Sequence, residues 1–451
     1  MTPSGIGVAD EFFALMDQVG ILDRLTVKGT YQREMVPMAL LMTTYSAKVI
    51  MGISSQNQLS THLFRDAGLL RLIGYTAKQI DEGFCKRGKG RTHPIHKDTV
   101  ADALERLTED ESQGILAGSV TDLVKAKLVA DTIFSMDGME MAVTQNYPGA
   151  GKLIITKEVK DKWGKVKTIT SSRYGYLQLS LRGVDSNTVV AARVDKIGKS
   201  EHPWVLTLVQ AAKLAGAKVK VLLVDGAYCV GDVLWRLKHE EKVDFIVPAD
   251  SSMCITEDAR ALALFKEGTI IKENSEIRAV GIKGLTTYAA YKPPSDQGRR
   301  GPKPVLNAVV VTRWKWREVP REEQKVLITS LPVDDPLLIV ELYRKRAEME
   351  NKLHRELKQG WNIEKFPSKQ HLACLAHVYL TLTLYNVACA YKTERGQELA
   401  DRGIRRLRAA HLGGAAWVLI VYTETEYGIF DVEEFAQLSG NPPKRFHRFT
   451  R

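Results

Sequence analysis

The sequence predicts an α/β protein with a mixed sheet, a helical N-terminal region and a helical C-terminal region. Three observations predict it. Up to about residue 128 apolar residues recur at helical spacing. From about residue 130, short β-branched runs alternate with helical stretches. One of these runs, Val219 to Val224, is apolar throughout, as in a strand buried on both faces.

The N-terminal helices are read from Phe12, Phe13, Leu15, Met16 and Val19, and from Val100, Ala103, Leu104 and Leu107. Asp98 is a plausible N-cap for the second of these runs. Between them lies a basic loop, Cys85-Lys-Arg-Gly-Lys-Gly-Arg91, which reads either as a solvated turn or as a phosphate contact. The strand pattern then opens with Thr132 to Met136, ending in Asp137-Gly138. Tyr174 to Leu181 and Thr188 to Val194 follow, then a helix from about Pro203 to Leu214. Val219 to Val224 ends in Asp225-Gly226, Asp232 can cap a further helix, and Phe245 to Val247 is another strand. The order β-β-β-α-β-α-β implies a sheet that is at least partly parallel.

Residues 250–333 break this rhythm. Thr269 to Ile271, Leu285 to Tyr291, Leu306 to Thr312 and Val326 to Thr329 read as strands around a Pro-, Gly- and Arg-rich loop, Pro293 to Pro304. Asp335, with Pro336 at the first helical position, caps a helix expected to run to about Gln359. An apolar helix follows from about Lys369. The expected organisation is a helical N-terminal domain (1–128), a core in two parts (129–249 and 334–395), a β-rich insertion between them (250–333), and a basic C-terminal region (396–451).

Composition narrows the partners. Lys and Arg number 64 against 53 Asp and Glu, a net charge of +11, which fits a polyanion such as nucleic acid. The five cysteines, Cys85, Cys229, Cys254, Cys374 and Cys389, show no C-x-x-C spacing, which argues against zinc and against a disulfide framework. The opening residues include Asp10 and Glu11 and do not read as a secretory signal. The apolar stretch His371 to Tyr391 contains histidines, threonines and Asn386, and reads as a buried helix rather than a membrane span.

Chemistry concentrates at three places. Asp137 and Asp225 each follow an apolar strand, where a rigid element can hold a functional carboxylate; Asp-Gly after a strand is equally a turn signal. On the helix after Asp335, Tyr343, Arg346, Glu350, His354 and Lys358 fall on one broad face at about 100° per residue. That face reads either as a carboxylate flanked by cations and a phenol, or as a surface laced with ion pairs.

Tyr343, Arg346 and Glu350, with Lys358 beyond, resemble the Tyr-Arg-Glu-Lys signature of bacterial insertion-sequence transposases of the DDE type. The two Asp-Gly pairs, Leu327-Ile-Thr-Ser-Leu-Pro332, His354 to Gln359 and Ile363-Glu-Lys365 resemble that group too, so the likeness spans about 130 to 390. Seven residues, Asn351 to Leu357, stand where the group usually has six, and Glu348 is a weaker rival to Glu350. The resemblance implies a ribonuclease H-like core interrupted by the β-rich insertion. It implies cut-and-paste transposition by phosphodiester hydrolysis and strand transfer, with Asp137, Asp225 and Glu350 as catalytic residues and metal ligands. The expected cofactor is two Mg2+ ions about 3.5–4 Å apart, with Mn2+ as a substitute. Tyr343, Arg346, His354 and Lys358 would contact DNA. Trp314 and Trp316 either stack on an unpaired base or pack the insertion against the core. The expected partners are double-stranded DNA, as terminal inverted repeats and target, and a second copy of the chain on paired ends. No membrane partner is expected, and the location is cytoplasmic and nucleoid-associated. Two rival functions share many of these features: a catalytically silent DNA-binding regulator, which has no need of three carboxylates, and a nuclease that cuts without joining.

Overall fold

The computed structural model describes residues 6–26, 36–84, 94–160, 166–266, 268–271, 276–296, 304–314, 320–395, 403–413, 418–422 and 427–431. The basic loop 85–91, Trp316 and the terminal Lys444 to Arg451 lie outside them. The chain forms two compact units: Met1–Ile115 with Glu356–Arg451, and Leu116–Arg355.

The first unit is helical apart from an antiparallel strand pair, Val418–Tyr422 with Tyr427–Asp431, which stands in the C-terminal region that the sequence pattern reads as helical. Phe12 and Met16 on Ile6–Gln18, Leu41 and Tyr45 on Met38–Ile50, and Val100 and Leu104 on Lys97–Glu105 are all buried. They share a core with His371–Arg395, which the sequence pattern divides from them. That helix is apolar on every side, so it needs neighbours all round. It is long and apolar enough to cross a membrane, and 94% of its apolar window is buried within the fold. The cap of Lys97–Glu105 is His96, not Asp98, which lies in the first turn.

Polar groups in this core are matched. The Tyr45 hydroxyl is 2.7 Å from His377 Nδ1, and His377 Nε2 faces the carbonyls of Asn362 and Ile363. The imidazole therefore sits as the Nε2-protonated tautomer, accepting from Tyr45. Burial, with Lys48 nearby, pushes its pKa down to about 3. Arg408 donates to the carbonyls of Val49, Ile50 and Gly360, at 2.8, 2.5 and 2.8 Å. It thus satisfies the open C-terminal end of Met38–Ile50.

The second unit is built on a ten-stranded sheet. Its strands are β1 (Ile133–Val143), β2 (Gly151–Lys160), β3 (Val166–Gly183), β4 (Val189–Lys196), β5 (Val221–Leu223), β6 (Asp244–Pro248), β7 (Thr269–Ile271), β8 (Glu276–Leu285), β9 (Leu306–Trp314) and β10 (Lys325–Thr329). The order β4-β3-β1-β5-β6 is antiparallel up to β1 and parallel from β1 through β5 to β6. This is the ribonuclease H-like arrangement. Leu222, Leu223, Phe245, Ile246 and Val247 are fully buried in its parallel part, each worth about 1.5–3 kcal/mol. The strands of 250–333 continue the same sheet: β10 pairs with β6, then β9, β8 and β7 follow. The β8 strand ends at Leu285, so the expected strand from Leu285 to Tyr291 is instead the irregular segment after it. Helix Pro336–Arg344 packs Ile339 and Val340 on Leu223, Ile246, Val309 and Leu327.

Strand β2 escapes the sequence pattern. With the first half of β3 it forms a ribbon whose residues are mostly exposed, so no apolar alternation marks it.

Replacing Tyr45 by Phe leaves the buried His377 Nδ1 without its short donor. Urea unfolding of this variant should show a loss of about 1–3 kcal/mol. Unchanged stability would show that the contact is energetically neutral.

Candidate active site

The parallel ladder of β1 and β5 brings two aspartates together. Its rungs are Ile133 with Val221, Phe134 with Leu222 and Ser135 with Leu223. Asp137 and Asp225 each lie two residues beyond the last rung. In a strand, residues two apart share a face, so equal offsets place both carboxylates side by side. Asp137 is not in a turn: β1 continues through it, and it pairs with Ser180 on β3. Asp225 does begin a turn, as the N-cap of the 3-10 segment Gly226–Tyr228.

Arg346 joins the pair. Its Nη2 is 3.2 Å from Asp137 Oδ2 and 3.2 Å from Asp225 Oδ2. The expected continuous helix is broken here. Pro336–Arg344 is α-helical, Lys345–Ala347 is 3-10, Met349–His354 is a π turn, and Arg355–Gln359 is α-helical again. A 3.6-residue period therefore does not describe this segment, and π turns of this sort recur at functional sites. Glu350 still approaches Asp137 closely enough for its charge to be felt there, and the Tyr343 hydroxyl feels the charges of Arg346, Asp225, Asp137 and Glu350. Glu348 turns elsewhere: it is 3.4 Å from the buried Arg182 and 3.1 Å from Lys352.

The environment differs among the carboxylates. The Asp137 side chain is 13% exposed, that of Asp225 50%, and Glu350 is exposed. Burial raises the pKa of Asp137 to about 6; the Arg346 charge and the Gly138 amide oppose that, while Glu201 and Glu350 add to it. Tyr343 is raised to about 12, chiefly by burial, and its ring carries Lys325 Nζ at 4.6 Å. Asp137 is thus the most enclosed of the three carboxylates, and Asp225 and Glu350 are open to solvent.

Among the described residues, no three His, Cys, Asp or Glu side chains converge as a ready metal-ligand cluster. The donor chemistry nevertheless fits a hard cation. Two carboxylate oxygens already share one positive group, Nη2 of Arg346.

The remaining expected residues are scattered. His354 is half-buried at the end of the π turn. Lys358 belongs to the first unit, where its Nζ is 2.9 Å from Glu364. Trp314 is the last residue of β9, and its side chain lies outside the described residues. Two residues at the site carry no sequence pattern that singles them out, Glu201 and Tyr228. The Tyr228 hydroxyl donates to Glu201 Oε2.

A ribonuclease H-like sheet with paired carboxylates at its parallel ladder is the frame of a DDE-type nuclease core. The sequence matches the transposase DDE domain family over residues 130–387, and the chain belongs to that family. It is accordingly a transposase, an enzyme of DNA transposition and recombination. None of the curated proteins compared matches it. Among solved structures, a piggyBac transposase synaptic complex with hairpin DNA overlaps 90% of this chain and 80% of its own, at 10% identity and a TM-score of 0.42. That overlap is too loose to match residues.

The sign of the Asp137 shift sets a pH test. A carboxyl raised to about 6 in the folded state favours folding while protonated, and that contribution is lost as pH rises from about 4 through about 6. Asp137→Asn removes the loss. Without metal, its stability relative to the parent should grow by on the order of 2–3 kcal/mol between pH 4 and pH 7. A flat or opposite difference would mean that the Arg346 pairing outweighs burial.

Proposed function

We propose that this chain is a cut-and-paste DNA transposase of the insertion-sequence group with the Tyr-Arg-Glu-Lys signature, acting through Asp137, Asp225 and Glu350. The observation that carries this reading is the shared contact of Asp137 and Asp225 with Arg346, with the Glu350 charge felt at Asp137. A nuclease that works without a nucleophilic side chain needs acceptor oxygens gathered near a phosphate; Asp137 and Asp225 supply a pair, and Glu350 would complete the set.

Asp137, Asp225 and Glu350 would hold divalent ions, Mg2+ or Mn2+. When bound, such ions supply Lewis-acid activation of a water or a 3′-hydroxyl and neutralise charge on the phosphate. The other residues act on DNA directly. Once its carboxylate partners are engaged, the Arg346 guanidinium can fork onto a phosphate. Tyr343, raised to about 12, stays protonated at neutral pH and can donate to a phosphate oxygen. His354 and Lys358 add positive or hydrogen-bonding groups along the backbone. Trp314, at the end of β9, would supply a ring for an unpaired base.

The helical residues 1–128 would bind the terminal inverted repeats, and residues 250–333 would form the β-rich insertion of the family. The same reading implies a homodimer on paired ends, because one active site serves one end. In the C-terminal region Arg405 and Arg406 are exposed and open to DNA or a second copy, whereas Arg408 is spent on backbone carbonyls.

Asp137→Ala, Asp225→Ala and Glu350→Ala should each abolish cleavage and strand transfer while end binding persists in gel shifts. Near-normal cutting by a folded Glu350→Ala protein would move the assignment to Glu348. Cutting without any joined product in the parent would favour a simple nuclease.

End binding should also weaken steeply with salt, since Lys and Arg contacts to phosphates release counterions. Affinity that stays level across a salt series would remove the charge argument.

A further inference from the structure

The ladder that aligns the two aspartates stops short of them. Its last rung is Ser135 with Leu223. Beyond it β1 runs on against β3, while the chain after β5 turns away into Gly226–Tyr228. The turn is closed by the Tyr228 amide donating to the Asp225 carbonyl at 3.0 Å. Arg346 spans the gap, but its guanidinium rests on the very oxygens that a cation would need. Some other contact must hold the turn against the strand when those oxygens are engaged.

Glu201 makes that contact. One carboxylate oxygen accepts from the Tyr228 hydroxyl, at the far end of the Asp225 turn. The same carboxylate lies over Gly138, the residue after Asp137. A Cβ built on Gly138 would come within 2.5 and 2.6 Å of its two oxygens, so any side chain there would push the carboxylate out of this seat. The glycine of the Asp137-Gly138 pair therefore serves no turn; it leaves room for Glu201. Tyr228 is only 2% exposed, so its hydroxyl needs a partner within the protein. A second carboxylate beside Asp137 is unfavourable by like-charge repulsion in the absence of a cation, which argues against a purely stabilising role.

We propose that Glu201 is a positioning residue: seated in the space left by Gly138 and bonded to Tyr228, it ties the Asp225 turn to the Asp137 strand beyond the end of their ladder. This rests on the reading of Asp137 and Asp225 as cation ligands. Neither Glu201 nor Tyr228 need touch the cation or the DNA.

Mn2+ titration of the full chain without DNA, followed by electron paramagnetic resonance, tests it apart from activity. Asp137→Ala should abolish tight Mn2+ binding. Tyr228→Phe and Glu201→Ala should each weaken it by about 10- to 100-fold. The double variant should be no weaker than either single, because both break one tether. Gly138→Ala, which displaces the carboxylate, should resemble Glu201→Ala. Glu201→Gln, whose amide oxygen still accepts from Tyr228, should stay within a few-fold of the parent. Melting without metal establishes that each variant is folded, and Tyr228→Phe changes no packing volume beyond one oxygen. Parental affinity in both Tyr228→Phe and Glu201→Ala, with Asp137→Ala inactive in binding, would overturn the tether and leave the cation site standing. Glu201→Gln as weak as Glu201→Ala would overturn it in favour of direct ligation. Parental affinity in Asp137→Ala would overturn the cation reading itself, and the tether with it.

Discussion

A carboxylate placed in the middle of a sheet has to be balanced, and Asp137 is balanced from a distance. It sits within β1, paired across to β3, with only 13% of its side chain exposed. An isolated charge there would be costly. The guanidinium that offsets it, Arg346, comes from a segment 209 residues later in the chain. The site thus exists only when the sheet and the segment after Pro336–Arg344 are packed together. The apolar contacts of Ile339 and Val340 with Leu223, Ile246 and Val309 secure that packing. The hydrophobic effect, which is not directional, thereby sets up a directional contact of 3.2 Å.

The break in the helix follows from the same demand. A regular helix would repeat its faces every 3.6 residues. The 3-10 turn at Lys345–Ala347 and the π turn at Met349–His354 re-aim consecutive side chains. Arg346 reaches the aspartates, while Glu348 faces Arg182. Arg182 is fully buried and meets Glu348 at 3.4 Å, while the Glu348 carboxylate also pairs with Lys352 at 3.1 Å. Glu348 is thus committed to holding the segment in place, and Glu350 is left exposed on the side of Asp137 and Tyr343. Two glutamates that sequence spacing separates only weakly are distinguished by what each one meets.

The first unit solves a different problem. Its long helix His371–Arg395 is apolar all round, yet it carries His377, Thr381, Thr383 and Asn386 fully inside. His377 is tolerated because it stays neutral and meets Tyr45 on one nitrogen and two carbonyls on the other. Arg408 closes the C-terminal end of Met38–Ile50 by three donations to carbonyls. Composition marks Arg408 as one of several basic residues open to DNA; its bonds assign it to the core.

Much of the frame was legible in the sequence. The apolar run through Leu222 and Leu223 marked a strand buried on both faces, and Asp335-Pro336 marked a helix start, because these signals arise from local backbone chemistry and burial. Asp137, Asp225, Tyr343, Arg346 and Glu350 were legible as candidates from residue type and spacing. Their mutual approach was not, since it depends on the register of β1 with β5 and on a helix that abandons its period. The exposed ribbon of β2 and β3 left no apolar alternation to read. Glu201 and Gly138 form the clearest case: a glycine after an aspartate reads locally as a turn, and only tertiary packing shows a carboxylate in the place where its side chain would be.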